Sequence, residues 1–459
     1  MLFFRLVVRL LFIALLLFRC NSLPDRVRPI GECLSRYESN DFSTIRNQDQ
    51  GRICVMKANT SVVKPMGEVS ATMYGKRQMV WNGLDVVAAT NFSLLEGRRF
   101  ALFTNATGRD RELNSILDLM IDSGIKPSLI LEPEHGLYGA EDTLSFNSLR
   151  VDSSSGIQIL NLYSGLKRPT AARLQGIDTL VVDLQNLPVR CYTYATTLTY
   201  LLEDAEQAGV EVLILDRPHP YGIWKPAGSI LDQKFESFVG TAPVPFLYTM
   251  TPGEYSIYMA KHRFTKLKLR VVRVEGFKPR TVDWVLAATW VNPSPNIPDL
   301  ESALVYVGLV FFEGTNISLG RGTTRPFVYS GAPWLNEKAV LAELRKLELK
   351  GVKYGTVNFI PSTSLYAGQT VRGIQFHPFS NEFDALRTGY EYMRIIKRLH
   401  PDQFRINGIT NFFIDKLWGS ALYRQSIEAN LSYDEFRSMW QTEATSFDEF
   451  AKDSRIYEY

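Results

Sequence analysis

From about Val80 onward the chain alternates short apolar runs with amphipathic stretches. The runs Arg99–Phe103, Ser128–Leu131, Ile157–Tyr163, Thr179–Val182 and Val212–Leu215 are of strand length and almost wholly apolar. Continuous rather than alternating apolar residues mark strands covered on both faces, as in a parallel sheet. Between them lie predicted helices. Asp110-Arg111-Glu112 opens one whose apolar face is Leu113, Ile116, Leu117, Met120 and Ile121, and Ser123-Gly124 closes it. Thr170 to Gly176 predicts a short helix. Thr196 to Gly209 predicts a longer one, with Leu198, Leu201, Leu202 and Ala205 on one face. Strand and helix in alternation predict an α/β fold built on a parallel sheet.

Near Glu275-Gly276 the pattern changes. Residues 276–459 are richer in loops and aromatic residues and predict a smaller C-terminal α/β or α+β domain after an α/β domain over 81–275. Asn292-Pro293-Ser294-Pro295-Asn296-Ile297-Pro298 reads as a rigid connector, because each proline fixes its own backbone. Pro298 to Leu304 reads as a helix start with acidic residues in its first turn. Residues 23–80 are polar and weakly periodic, and predict an extension draped over the main domain.

Four of the strands end in polar motifs: Thr104-Asn105, Glu132-Pro133-Glu134-His135-Gly136, Asp183-Leu184-Gln185-Asn186 and Asp216-Arg217-Pro218-His219. The carboxyl ends of parallel strands open on one edge, where ligands bind. Asn105, Glu134, His135, Asp183, Gln185, Asp216 and His219 are therefore expected to converge on one crevice.

Composition narrows the partners. The chain has 459 residues and a net charge of +3, with no basic block, so nothing points to nucleic acid. Arg5 and Arg9 precede the apolar run Leu10–Phe18, and Cys20-Asn21-Ser22 follows. That is the layout of a signal peptide over residues 1–22, cleaved before Leu23. The apolar run is too short for a span of ~20 residues, so no stable membrane span is expected after cleavage. The expected location is secreted or within the secretory pathway, periplasmic in a bacterium. Cys33 and Cys54 can pair there, while Cys191 reads as a lone buried thiol. Sequons stand at Asn59, Asn91, Asn105, Asn316 and Asn430. Those at Asn105 and Asn316 fall within polar motifs and are expected to stay unmodified.

Each motif carries a chemistry and a plainer alternative. Glu134, behind Pro133 and before Gly136, suits a general acid whose pKa is raised by desolvation, or an exposed loop carboxylate. His135 can orient Glu134, touch substrate or cap the turn. Asp183, Gln185, Arg190, Tyr192 and Tyr194, read as one extended segment, suit a sugar surface, or Asp183 simply caps a loop. Arg217 can grip a carboxylate bidentately, or pair with Asp216 or a neighbour as scaffold. Two arginines among the glycines of residues 320–325 suggest an anionic group on the ligand. Dinucleotide, P-loop, α/β-hydrolase and zinc-protease signatures are absent from the sequence. Asp183, Asp216, His135 and His219 leave open a metal-dependent hydrolase.

The ordered series Thr104–Gly108, Pro133–Gly136, Asp183–Gln185, Tyr192–Tyr194, Asp216–Pro218, Asn292–Asn296, Leu300–Ala303, Glu313–Asn316 and Gly320–Thr323 resembles the exo-β-N-acetylmuramidase family, the NamZ-type peptidoglycan glycosidases. The resemblance runs from about residue 81 nearly to the C-terminus. It implies a Rossmann-like domain, a smaller C-terminal domain and a site in the cleft between them. It implies release of N-acetylmuramic acid from the non-reducing ends of peptidoglycan fragments, without a cofactor. It gives Glu134 the role of catalytic acid, beside His135. As substrate contacts it suggests Asn105, Asp183, Gln185, Arg190, Tyr192, Tyr194, Asp216, Arg217, Asn292, Ser294, Asn296, Glu301, Glu313, Asn316, Arg321, Thr323 and Arg325. For a second carboxylate, Glu301, Glu313 and Asp183 are candidates. The chain departs from the family's usual pattern at Glu132, where a small residue is usual, at Asn186-Leu187 and at Trp224–Gly228. A glycan-binding protein without turnover is the alternative reading.

Overall fold

The computed structural model describes residues 56–57, 60–63, 80–139, 149–163, 165, 167–280 and 290–459. The expected signal peptide and the Cys33–Cys54 pair lie outside these residues. Walking the chain, the first strands are β1 (Met56–Lys57), β2 (Thr60–Val63), β3 (Phe100–Thr104), β4 (Leu129–Glu132), β5 (Leu149–Val151), β6 (Gln158–Asn161), β7 (Thr179–Asp183) and β8 (Glu211–Leu215). They are followed by β9 (Ala227–Ile230), β10 (Pro245–Leu247) and β11 (Leu269–Val272). Among them run helices α1 (Gly83–Ala88), α2 (Ile116–Asp122), α3 (Thr193–Ala208) and α4 (Pro252–His262).

The main sheet has the order β1-β2-β11-β8-β7-β3-β4-β6-β5. Strands β2, β11, β8, β7, β3, β4 and β6 are parallel, and β1 and β5 close the edges antiparallel. Taken in chain order from β3, the inner six strands follow the Rossmann order 3-2-1-4-5-6. The predicted strands lie within a residue or two of these. The polar extension also joins the sheet, since β2 pairs in register with β11 from Thr60↔Leu269 to Val63↔Val272.

Alternate residues of each inner strand enter different cores. Ala101, Phe103, Leu180, Val182, Val212 and Ile214 face the larger one, while Phe100, Leu102, Val181, Leu213 and Leu215 face α1 and α2. Both faces are covered, which is why these runs carry no polar residue until the strand ends. The order reverses between β3 and β7, so the crevice beyond their carboxyl ends is the natural ligand position.

Two helix readings need correction. The helix predicted from Asp110 begins only at Ile116, capped by the Ser115 hydroxyl. The Asp110 carboxylate accepts from the N–H groups of Glu112 and Asn114, folding 110–114 into a turn and leaving Leu113 exposed in left-handed backbone. Helix α3 begins three residues early, at Thr193, so Thr193 and Tyr194 belong to a helical first turn and not to an extended segment.

The C-terminal part is α+β. Helix α5 (Leu300–Leu309), capped by Asp299, leads to strands β12 (Tyr329–Ala332), β13 (Val352–Phe359) and β14 (Val371–Pro378). These form an antiparallel sheet with β14 central. Helix α6 (Glu337–Lys346) and helix α7 (Ala385–Leu399) pack with it, and four short helices, α8 (Phe413–Trp418) to α11 (Gln441–Phe450), complete the chain. Helices α5 and α7 cross closely through Gly308 and Gly389. A Cβ on either would sit 1.9 Å from a carbonyl oxygen of the other helix. No helix of the described residues is long and apolar enough to cross a membrane.

Candidate active site

Strand β4 delivers the central motif. Past Glu132 the chain turns sharply, with His135 and Gly136 both in left-handed backbone at φ 72° and 73°. That conformation is uncommon for a residue with a side chain and survives where surroundings enforce it. The enforcing group is Glu132, which is wholly buried. Its carboxylate accepts from the Leu137 N–H at 2.7 Å, from Asn161 Nδ2 at 2.9 Å and from both terminal nitrogens of Arg150, one at 2.9 Å. Residues 132 and 137 are thereby tied across the turn that carries Glu134 and His135. Glu132, the departure from the family's usual small residue, is thus met by Arg150 on β5.

Glu134 is half-buried on this turn. One carboxylate oxygen accepts from Thr193 Oγ1 at 2.6 Å, in the first turn of α3. The Tyr163 phenol, just past β6, stands close enough to feel its charge. Burial pushes the Tyr163 phenol up, and the charges of Glu134 and then Glu313 push it further. Tyr192 is raised by burial and by Glu134, while Arg321 draws it down. Glu313 and Arg321 pair at 2.5 Å, both partly exposed, with Arg321 over the Phe327 ring. Glu134, Tyr163, Tyr192, Glu313 and Arg321 therefore share one electrostatic neighbourhood.

Beneath this surface lies a buried polar frame. The Asn105 amide donates to the Tyr194 hydroxyl at 2.9 Å, and its carbonyl oxygen accepts from Thr107 N–H and hydroxyl. The Tyr194 hydroxyl in turn contacts the backbone carbonyls of Pro293 and Glu134. This anchors the connector and the turn that carries Glu134 to one phenol. The Tyr192 ring packs edge-on against Tyr194 and Tyr306.

Several expected substrate contacts prove to be framework. Asp183, with no exposure, holds Arg217 through Nε at 2.5 Å and Nη2 at 2.9 Å. Burial drives its pKa up and the guanidinium opposes this. Of the two readings of Arg217 the scaffold one holds, with the neighbour Asp183 as its partner and not Asp216. Gln185 donates to the carbonyls of Asn186 and Pro218. Arg190, 1% exposed, donates to the carbonyls of Ser229, Val244 and Trp418. Burial lowers it to about 10. Asn316 spans the Gln403 carbonyl and the Arg405 N–H, and Thr323 closes its own loop onto Gly320. Glu301 is held by Arg325 and by His377 Nδ1 at 2.9 Å. Asn292 is exposed, Asn296 half-buried and Ser294 buried along the connector. The side-chain nitrogens of both Asn105 and Asn316 are engaged in hydrogen bonds.

Asp216 and His219 face away from Glu134 into a second buried cluster. Asp216 accepts from Thr251 Oγ1, Gly253 N–H and Tyr457 OH at 2.6–2.8 Å, and burial raises it to about 7. Neighbouring Glu254 accepts from the Ile456 N–H and the Tyr459 hydroxyl and pairs with Arg455. His219, lowered to about 3 by burial, lies 3.2 Å from the Tyr459 hydroxyl. Among the described residues no three His, Cys, Asp or Glu side chains assemble as metal ligands. Cys191 is buried, its thiol pushed up to about 12 by desolvation. The remaining departures also have internal partners: Asn186 donates to the Tyr248 hydroxyl, and Trp224 donates to the Phe383 carbonyl.

Sequence reasoning left Thr193, Tyr163 and Arg150 unassigned. Thr193 stood inside the flagged tyrosine pair and Tyr163 closed a predicted strand, but only the fold carries them to Glu134 and Arg150 to Glu132.

Comparison with known proteins bears on this geometry. Residues 100–301 match the N-terminal domain model of exo-β-N-acetylmuramidase NamZ, and residues 304–457 match the C-terminal one. The peptidoglycan β-N-acetylmuramidase NamZ of Bacillus subtilis is 32% identical over 390 residues, covering 84% of this chain and 94% of that protein. Two crystal structures of DUF1343 family proteins from Bacteroides fragilis are similar. One has a TM-score of 0.76 at 28% identity, covering 83% of this chain and 100% of that one. The other has a TM-score of 0.65 at 27% identity, covering 83% and 99%. With both domain models matched in order over a Rossmann-type sheet and its α+β partner, the chain belongs to the exo-β-N-acetylmuramidase NamZ family.

Proposed function

We propose that this protein is a glycoside hydrolase that releases N-acetylmuramic acid from the non-reducing ends of peptidoglycan fragments, with Glu134 as the proton donor. The observation that carries this reading is the placement of Glu134. It stands on a clamped left-handed turn at the carboxyl edge of the sheet, with Thr193 on its carboxylate and Tyr163 within reach of its charge. A group so held keeps its angle while a proton passes to the glycosidic oxygen, and positioning of this kind lowers the barrier.

The second carboxylate of the reaction is Glu313. Of the three sequence candidates, Asp183 is wholly buried against Arg217, while Glu301 and Glu313 are both partly exposed and each pairs with an arginine, so the choice between them rests on Tyr163. Glu313 shares Tyr163 with Glu134 and stands on the partly exposed side. A separation near 5 Å between such groups supports a covalent intermediate, and about 6.5–9.5 Å admits a water. Arg321 beside Glu313 supplies a cation for the lactyl carboxylate of muramic acid. By the same reading the protein acts outside the cytoplasm, where its substrate lies, and needs no cofactor.

The test is hydrolysis of the disaccharide N-acetylmuramyl-β-1,4-N-acetylglucosamine by wild type and Glu134→Gln, with chelator present. The variant should lose about 10²–10⁴-fold in kcat. Equal rates would remove Glu134 from the chemistry. Binding of muramyl sugar without turnover by the wild type would establish the glycan-binding alternative.

A further inference from the structure

Beside the catalytic cluster runs an open groove of about 630 Å³. It shares two segments with the active site. One wall is the connector at Pro295 and Asn296, two residues beyond the backbone that Tyr194 holds. The opposite wall is the loop Gly322–Thr324, directly after Arg321. The groove's apolar lining is Ile360 with Tyr329 and the largely buried Phe359, whose rings lie 5.7 Å apart at 30°. Ser362 and Thr363 finish the far side.

The chemistry of this lining is selective. It contains no Asp, Glu, Lys, Arg or His. It offers hydroxyls from Thr324, Ser362 and Thr363 and the amide of Asn296. Ring faces beside neutral donors and acceptors suit a sugar, whose axial C–H bonds pack on aromatic carbon while its hydroxyls and amide seek hydrogen bonds. An anionic muramyl group gains nothing here and is matched by Arg321 instead. A charged stem peptide would bury its charges without partners.

The groove is also pre-formed. Gly322 adopts φ +77° and presses against Thr363, where a Cβ would come within 2.6 Å of the backbone nitrogen. Its carbonyl accepts both the N–H and the hydroxyl of Ser362 at 2.9 Å. The Gly322–Thr324 wall is thus fastened to the Ser362–Thr363 side before any ligand arrives, which removes part of the ordering cost from binding.

We propose that this groove is the subsite for an uncharged N-acetylated sugar, the N-acetylglucosamine unit on the leaving-group side of the bond to be cut. The assignment rests on the glycosidase reading above and extends it from the reacting sugar to its neighbour.

The experiment uses the full-length protein and N,N′-diacetylchitobiose as the probe, with calorimetric titration into wild type, Tyr329→Ala and Thr324→Trp. Thr324 is exposed at the wall, so the indole obstructs the groove without disturbing a core. Wild type binds the probe, Tyr329→Ala weakens it about three- to tenfold, and Thr324→Trp abolishes it. Free N-acetylmuramic acid, titrated into the same three proteins, reports that the neighbouring site is intact. In parallel, the ratio of kcat/KM for the muramyl disaccharide to that for an aryl N-acetylmuramide should fall by the same factors. An aryl leaving group has no second sugar to place. No probe binding by wild type, or equal binding by all three proteins, overturns the subsite. Probe binding that follows the variants in a protein hydrolysing no muramide would retire the glycosidase reading and leave the groove. Hydrolysis whose substrate ratio ignores both variants would do the reverse.

Discussion

Replacing Glu132 with alanine should damage stability and catalysis by separable amounts. The carboxylate has no exposure and serves Leu137 N–H, Asn161 Nδ2 and Arg150. Removing one partner of a buried ion pair costs about 3–5 kcal/mol, mostly for the stranded charge. The Arg150 side chain keeps 24% exposure, so water recovers part of that, and the lower end, about 3 kcal/mol, is expected. The double variant Glu132→Ala/Arg150→Met removes the cation together with the anion and should regain part of the stability. It cannot regain the acceptor for Leu137 N–H, so the His135–Gly136 turn stays loose and kcat on the muramyl disaccharide stays at least about tenfold down. Urea unfolding followed by tryptophan fluorescence reads the first quantity, and initial rates with saturating disaccharide read the second. A Glu132→Ala protein within about 0.5 kcal/mol of wild type would refute the burial argument. A double variant that recovers kcat along with stability would show that the clamp serves the fold alone and does not position Glu134.

Asp216 should make the protein more stable in mild acid. Burial raises its folded pKa to about 7 from an ordinary 3.8, so the folded state holds the proton more tightly than the unfolded chain. Its contribution is complete below 3.8 and is lost as pH rises through 7, at up to about 1.4 kcal/mol per pH unit. Thermal unfolding at pH 6 and pH 8 should therefore show a higher midpoint at pH 6, and Asp216→Asn should flatten the difference; an unchanged slope in the variant would assign it to other groups. Arg190→Met should cost at least about 3 kcal/mol, because the carbonyls of Ser229, Val244 and Trp418 lose their shared donor inside the protein. Gly419→Ala, whose Cβ would come within 2.2 Å of the Arg190 guanidinium at φ +83°, should depress the melting temperature similarly, and a mild effect from either would mean that the region repacks.

The strands were legible because burial on both faces leaves apolar runs that end abruptly in polar residues, and that same abruptness exposed Glu134. The start of α2 was misread because an aspartate that favours a helix's first turn also builds a turn of its own, and at Asp110 the second use prevails. The tyrosines around Thr193 looked like a sugar platform. Tyr194 is instead the post on which the Glu134 turn and the connector hang. Pairings such as Asp183 with Arg217 or Glu132 with Arg150 join residues 34 and 18 positions apart and leave no local trace. A polar residue at a strand end is equally able to meet a substrate or a neighbouring loop, and only the partner's position separates the two.

The contacts of residues 455–459 bear on how the chain is made. Tyr457 and Tyr459 seal Asp216 and Glu254, while Arg455 and the backbone of Ile456 tie down the Thr249–Glu254 corner. Those acids belong to the middle of the sheet domain, yet their partners are synthesised some two hundred residues later. While translation proceeds, two carboxylates sit in a half-built apolar corner and must stay hydrated. The sheet can assemble early, but this edge closes only after the tail emerges from the ribosome. A nascent chain stalled short of Arg455 would present an open, chaperone-accessible flank, which residues 455–459 act as a latch to close.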